Sequence, residues 1–306
     1  MNVLIIGGTR FLGAAIAREL RARNHRVTLL HRGRTEGDTP MDAEHILCDA
    51  RDRAQVEPQL RKGWDAAIDT ILQARDLDWY LPLLRESTGQ LVHCGSTGVY
   101  APMRALPARE EDPTPCPEAL GGFGEKLAQD EALLAFHRDT GFRVCSLRAS
   151  NIFGAGDVPL DGWGARNPAW FGRVARHEEI WIPNDGRALL QPVHTSDLAR
   201  GFCDVLECER AAGQIYNLSS DRAVTINEYV ETVKDLLKST SPVRYVPMEA
   251  ILSTGKANDA GIRFLCEHMS IDSGKARRDF GYGPRIGVRE GLQDSLAWMR
   301  SRELLE

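Results

Sequence analysis

The chain has 306 residues, with 43 acidic and 38 basic side chains and a formal net charge of −5. That length can bury a substantial core, as one large α/β unit or two closely joined domains. The near-balanced charge argues against nucleic acid as the main ligand. No apolar run approaches the roughly 18 residues of a membrane span, so no membrane partner is expected. Met1 leads straight into Val3-Leu4-Ile5-Ile6, without the basic flank and longer apolar stretch of a signal peptide. Seven scattered cysteines with no CxxC pair suit a reducing cytoplasm, with neither a disulfide nor a metal site.

In chain order, β-rich runs are expected at Asn2–Ile6, Arg26–His31, His45–Cys48, Ala66–Ile71, Gln90–Cys94 and Phe142–Leu147. Helical patterns separate them at Ala14–Asn24, Arg53–Lys62, Asp76–Glu86 and Glu118–Asp139. Several of the runs are nearly continuous in apolar residues, as strands covered on both faces must be. Strand-helix alternation of this kind predicts a doubly wound parallel sheet. After Arg148 the texture changes, and Asn151–Pro168, rich in Gly, Pro and Trp, reads as a binding loop. A strand-helix pair follows at Val193 to Cys208, then a strand at Gln214–Leu218. Thr225-Ile226-Asn227-Glu228 has the form of a capping box opening a helix to Lys238. The division expected is a dinucleotide-binding domain over 1–150, with contributions from about 192–218, and a smaller interleaved substrate lobe over 151–306.

Gly7-Gly8-Thr9-Arg10-Phe11-Leu12-Gly13 follows the first strand and opens the first helix. A dinucleotide needs glycine at such a turn so the backbone can approach the pyrophosphate, and a helix N-terminus to meet its charge. An acid at the end of the second strand would hold the ribose hydroxyls of NAD, whereas cations there would accommodate the extra phosphate of NADP. The sequence reads Leu30-His31-Arg32-Gly33-Arg34. Arg10, Arg32 and Arg34 supply guanidinium groups suited to bidentate phosphate contact. NADP(H) is the expected cofactor, with NAD as the alternative.

These motifs make the chain resemble the extended short-chain dehydrogenase/reductase superfamily, the NAD(P)-dependent epimerases and dehydratases. The Gly-Gly-Thr-Arg-Phe-Leu-Gly form resembles the branch that includes chloroplast stem-loop-binding proteins. Further matches are Ser96-Thr97-Gly98-Val99-Tyr100, Arg148-Ala149-Ser150-Asn151, Val193-His194-Thr195-Ser196-Asp197-Leu198-Ala199, Tyr216-Asn217-Leu218 and the stretch from Asp272 to Trp298. The resemblance covers nearly the whole chain and implies a Rossmann-type fold, often in a homodimer.

By the resemblance, Gly7, Thr9, Arg10, Phe11, Leu12 and Gly13 would contact the cofactor phosphates. Asp49 with Ala50 would meet the adenine edge, and Thr70 a strand end beside the cofactor. His31 stands where members using NAD carry aspartate. Tyr100 would shape the substrate pocket, and Asn151 would contact a substrate diphosphate, the substrate being a sugar nucleotide or related polar metabolite.

The family's catalytic set is a Ser or Thr, a Tyr and a Lys, in which the lysine and the nicotinamide charge lower the tyrosine pKa. Here Ser96 and Lys126 occupy two of the positions, and Gly122 stands where the tyrosine would be, four residues before Lys126. No tyrosine occurs between Tyr100 and Tyr216. Tyr100, Glu125 and the run Glu110-Glu111-Asp112 are the candidate substitutes for its proton. The acidic run also reads as a solvated loop. Family members also carry an arginine four residues before the His of the Val-His segment, and this chain has Leu190 there; Arg187 and Arg173 are the candidates to compensate. His194 reads as a buried structural histidine, and Trp163, Trp170 and Trp181 as core residues. The leading reading is an NADP-dependent epimerase, dehydratase or reductase. The alternative is a cofactor-binding protein that is redox-inactive, or RNA-binding like the stem-loop binders.

Overall fold

A computed structural model describes residues 1–34, 39–40 and 42–305. Six strands, β1 Asn2–Ile6, β2 Arg26–His31, β3 Glu44–Leu47, β4 Ala66–Asp69, β5 Gln90–Ser96 and β6 Arg143–Ala149, are joined by the Gln214–Leu218 strand in one sheet. Every neighbouring pair in that sheet runs parallel. The order runs from the Gln214–Leu218 strand through β6, β5, β4, β1 and β2 to β3. The crossovers therefore reverse between β1 and β4, and a crevice opens at the strands' carboxyl ends at such a point.

Helices α1 Phe11–Ala22, α2 Arg53–Leu60, α3 Ala74–Ser87 and α4 Gly124–Thr140 cover the sheet together with the Thr195–Asp204 helix. The continuous apolar strands follow from burial on both faces. Val3 and Ile5 enter one core with Leu12, Ile16 and Phe202, while Leu4 and Ile6 enter the other with Val56, Leu77 and Leu84. Burying each such side chain contributes about 1.5–3 kcal/mol. A third core lies in the second lobe, around Trp163, Trp170, Phe171, Val230 and Leu296.

Several element ends depart from the sequence reading. The first helix starts at Phe11 and stops at Ala22, with Asn24 in the left-handed region. Strand β4 stops at Asp69, because its buried carboxylate accepts the Ile71 and Leu72 N–H groups (both 2.8 Å) and turns the chain. The pattern over Glu118–Asp139 is not one helix. Glu118–Leu120 is a single 3₁₀ turn, Gly121 and Gly122 lie at φ +111° and +71°, and α4 begins only at Gly124. Two left-handed residues in succession end any right-handed helix.

The Asn151–Pro168 stretch is mostly irregular, but Ile152–Phe153 pairs with Val193–His194. Thr225 Oγ1 accepts the Glu228 N–H at 3.1 Å, as the expected cap requires. The returning half of the box is replaced, since the Glu228 carboxylate pairs with Arg222. All seven cysteines carry free thiols. No helix among the described residues is long and apolar enough to cross a membrane.

Candidate active site

The turn after β1 is crowded so tightly that only glycine fits. A Cβ on Gly7 (φ +93°) would lie 2.5 Å from Ile71 Cγ2, and one on Gly13 would lie 2.5 Å from the Gly7 carbonyl oxygen. Thr70 Oγ1 donates to the Gly7 carbonyl at 3.2 Å and fastens the end of β4 to this turn. Arg10 occupies the N-cap of α1 without a side-chain cap, and the first turn contains no acid. Phe11 is held at φ +44°, a conformation that is costly for a bulky L-residue. The result is an uncapped helix N-terminus, carrying partial positive charge, behind a turn with no Cβ in the way. This arrangement fits a pyrophosphate.

Beyond the turn, a cleft of about 400 Å³ runs past the ends of β2 and β3. Arg10, Arg32, Arg34, Asp49 and Ala50 line it. The Tyr80 hydroxyl donates to the Ala50 carbonyl at 2.8 Å, and Asp49 Oδ1 accepts the Arg51 N–H at 3.1 Å, fixing the floor. Among the described residues, no carboxylate pairs with the side chains of Arg10, Arg32, Arg34 or Arg51.

His31 has a tautomer set by its neighbours. Its Nδ1 accepts the Gly33 N–H at 3.1 Å, so the proton is on Nε2, which donates to His45 Nδ1 at 2.8 Å. Burial, with a smaller contribution from His45, lowers the His31 pKa and favours this neutral form. Neither ring nitrogen is left to accept a hydrogen bond from a ribose hydroxyl.

At the carboxyl end of β5, Ser96 Oγ accepts the Gly98 N–H at 3.1 Å, which leaves its own proton free to donate. Lys126, in the first turn of α4, donates to the Cys94 carbonyl at 3.0 Å. Ser96 and the ammonium group therefore meet at the same strand end. A brace sits behind them. His93 bridges Asp69 (2.6 Å) and Gln129 (3.0 Å), and Gln129 in turn donates to the Leu72 carbonyl. Burial opposes the Asp69 charge, yet His93 and the two backbone amides hold its pKa below the ordinary carboxylate value. The only sequence signal for this brace is a polar residue inside each of two otherwise apolar strands.

Of the candidate substitutes for the family's tyrosine, Tyr100, Glu125 and Glu110 are engaged elsewhere, whereas Glu111 is exposed. Tyr100 does not line an open pocket: it is 1% exposed, donates to Asn217 Oδ1 at 2.9 Å and accepts from Arg148 Nη1. Burial pushes its pKa up to about 12. Arg148 also pairs with buried Asp130 at 2.8 Å. Glu125 accepts the Ala74 N–H at 2.6 Å and ties α4 to α3. Glu110 is not a solvated loop residue. It is half-buried, accepts the Asn217 N–H at 2.8 Å, and has its pKa raised chiefly by burial. Gly122 has no atom within 4 Å of its would-be Cβ. The neighbouring Phe123 ring lies against Gly98 instead, where a Cβ would approach it to 2.3 Å.

In the second lobe, Asn151 follows β6 and is half-buried, its carbonyl accepting the Val193 N–H at 2.8 Å. Arg187 is 80% exposed and lies 3.8 Å from Asp185. Arg173 sits over the Trp163 ring, donates to the Glu179 carbonyl and pairs with Glu178 at 3.3 Å. His194 is buried, caps the Ser196 N–H and meets Asp294 at 3.0 Å, a structural role. Trp163 and Trp170 are core residues, and the Trp163 indole donates to the Trp181 carbonyl at 2.8 Å.

The chain is similar to known proteins over most of its length. The chloroplast stem-loop binding protein of 41 kDa b of Arabidopsis thaliana is 30% identical over 313 residues, which covers 96% of this chain and 78% of that protein. The 2'-dehydrokanamycin reductase of Streptomyces kanamyceticus is 27% identical, covering 89% of this chain and 76% of that one. The solved UDP-glucose 4-epimerase of Bifidobacterium longum, in complex with NAD+ and UDP, has the same fold at a TM-score of 0.79 and 20% identity, with 99% of each chain covered. Residues 3–219 match a family model over most of the chain, and the protein belongs to the NAD dependent epimerase/dehydratase family.

Proposed function

We propose that the protein is an NADP(H)-dependent oxidoreductase of this family, acting at a carbon that bears oxygen. The observation that carries the cofactor assignment is the end of β2. Four guanidinium groups, Arg10, Arg32, Arg34 and Arg51, line the cleft beside it without carboxylate partners among the described residues, and both His31 nitrogens are already used. Cations in that position are suited to the extra phosphate of NADP. A ribose diol finds no acceptor on His31.

A bound nicotinamide cofactor would supply or accept the hydride. The chain's own residues hold and polarise. The α1 N-terminus and the turn at Gly7 would take the phosphates, and Lys126 would bond the cofactor ribose. The Ser96 hydroxyl, already accepting from Gly98, donates to the reacting oxygen. With Tyr100, Glu110 and Glu125 committed elsewhere, Ser96 and Lys126 are the groups we assign to exchange the proton with solvent.

Calorimetric titration with NADPH and NADH tests this reading. The expected result is NADPH binding at least about tenfold tighter, or about 1.4 kcal/mol. Equal affinities, or tighter NADH, reject it. A second reading, cofactor binding without turnover, is favoured by the absence of a phenol at residue 122 and by the Phe123 ring lying on Gly98. It requires that NADPH bind and never be consumed across a panel of carbonyl compounds, sugar nucleotides among them.

A further inference from the structure

We infer, resting on the reading above, that His31 is a further specificity-determining residue, which takes up a proton from solvent as NADP(H) arrives and binds its extra phosphate as an imidazolium. The free protein holds the ring in a network that opposes this charge. Nδ1 accepts the Gly33 N–H at 3.1 Å and Nε2 donates to His45 Nδ1 at 2.8 Å, with the two rings edge to face, 5.0 Å between centroids. A proton added to His31 Nδ1 turns that acceptor into a donor facing the Gly33 N–H. Added to His45 Nδ1, it faces the His31 proton, and moving that proton to His31 Nδ1 brings the conflict back to Gly33. Either way one of the two bonds is lost.

The surrounding charges press in the same direction. Among the described residues, Arg10 from the α1 turn, Arg32 and Arg34 from the loop after β2, and Arg51 from the loop after β3 line the cleft with His31. The acids lining it are Asp49, which accepts the Arg51 N–H, and Asp76 of α3, which accepts the Gln73 N–H at 2.9 Å. On β3, Glu44 pairs with Arg26 at 3.1 Å, and burial raises the pKa of the Cys48 thiol at the strand's end. Four guanidinium groups against two carboxylates leave the cleft positive. Burial, with His45, lowers the His31 pKa in the free protein.

A phosphate dianion reverses both effects. It offsets the surplus positive charge, and its oxygens can accept from the new Nδ1 proton and from the Gly33 N–H alike. Gly33 lies between Arg32 and Arg34 in the chain, so these donors belong to the segment that carries the cations. NAD has no such phosphate, and with it the pair stays neutral. His45 is a positioning residue. Exposed on the edge strand β3, it keeps Nε2 occupied and leaves Nδ1 to receive the proton.

The test is calorimetric titration of the full chain with NADP and with NAD at about pH 7, in PIPES and in Tris, whose ionisation enthalpies differ. At that pH the extra phosphate, with a second pKa of about 6, is already mostly a dianion. NADP should take up at least about half a proton and NAD less than about a tenth, so the NADP-to-NAD affinity ratio falls about fivefold from about pH 7 to 8.5. Tighter NADP binding with no uptake, or with equal uptake for NAD, overturns this inference and leaves the cofactor assignment standing. Equal affinity for the two cofactors at about pH 7 overturns both. In folded His31→Asn the uptake should vanish and the ratio become independent of pH. His45→Gln, which keeps an acceptor for Nε2, should retain both. Uptake that survives His31→Asn, or is lost in His45→Gln, puts the proton on another group and sinks the proposal.

Discussion

Around the cleft at the ends of β2 and β3, Arg10, Arg32, Arg34 and Arg51 stand without carboxylate partners among the described residues, whereas Arg166, Arg173 and Arg176 of the second lobe are each bound to acids or carbonyls. The two regions hold similar numbers of cations and use them differently. Clustered like charges repel one another and destabilise the compact state slightly, a cost that an arriving anion reverses. Cations already matched by their own acids gain little from a second anion, since part of that gain goes to breaking the first contact. Counting arginines would therefore mislead about where a phosphate binds. What decides the matter is which of them the fold has left unspent.

The comparison breaks most visibly if the β2 arginines prove to be solvated surface. Arg32→Ala combined with Arg34→Ala should weaken NADP about 100-fold, or about 2.7 kcal/mol, while NAD affinity changes less than about threefold. Equal losses for both cofactors in parallel titrations would mean the arginines do not read the extra phosphate.

Asp161 sharpens the other side, as a buried carboxyl that the second lobe's cations leave unpaired. It accepts the Trp163 and Ala165 N–H groups at 2.7 and 3.1 Å, and burial raises its pKa from 3.8 to about 6. The folded state then keeps a proton that the unfolded chain has released, so stability falls as pH rises through about 4 to 6. Asp161→Asn, which retains the accepting oxygen, should remove this loss. Urea melts should show the variant gaining about 2 kcal/mol on wild type between about pH 4.5 and 7.5. A gap that does not change with pH contradicts the assignment.

Lys126→Met comes next in size. Removing the charged donor beside Cys94 should weaken NADP(H) by about 1–3 kcal/mol in a folded protein. An unaltered Kd would place the ammonium outside the cofactor site. The smallest effect is expected from Gly122→Tyr. There is room for the Cβ, but φ is +71°, so the variant should lose about 1–2 kcal/mol of stability and gain no turnover. A large gain in NADPH consumption would show that the segment can move and that the site had lost only its phenol.

The alternating apolar strands, the glycine turn after β1 and the basic end of β2 are legible in the sequence because each is a local pattern, complete within a few residues. Ser96 and Lys126 are legible for the same reason, as positions within motifs. Gly122 misleads at that level. Its spacing from Lys126 suits a helix face, and only backbone angles, which composition does not encode for glycine, take it off α4.

Tyr100 reads locally as a pocket residue, yet its phenol is consumed by Arg148 and Asn217, 48 and 117 residues away in the chain. His31 reads as a missing acid. The turn at Gly33 and the adjacent strand, through His45, decide that neither of its nitrogens remains to accept. The sequence by itself determined the strand-helix alternation, the fold class and the family, since periodicity and short motifs are properties of neighbouring residues. Which polar groups remain free to act was decided only by tertiary structure. A hydrogen bond or ion pair is a claim on a partner, and in this fold most of those partners come from other strands and helices.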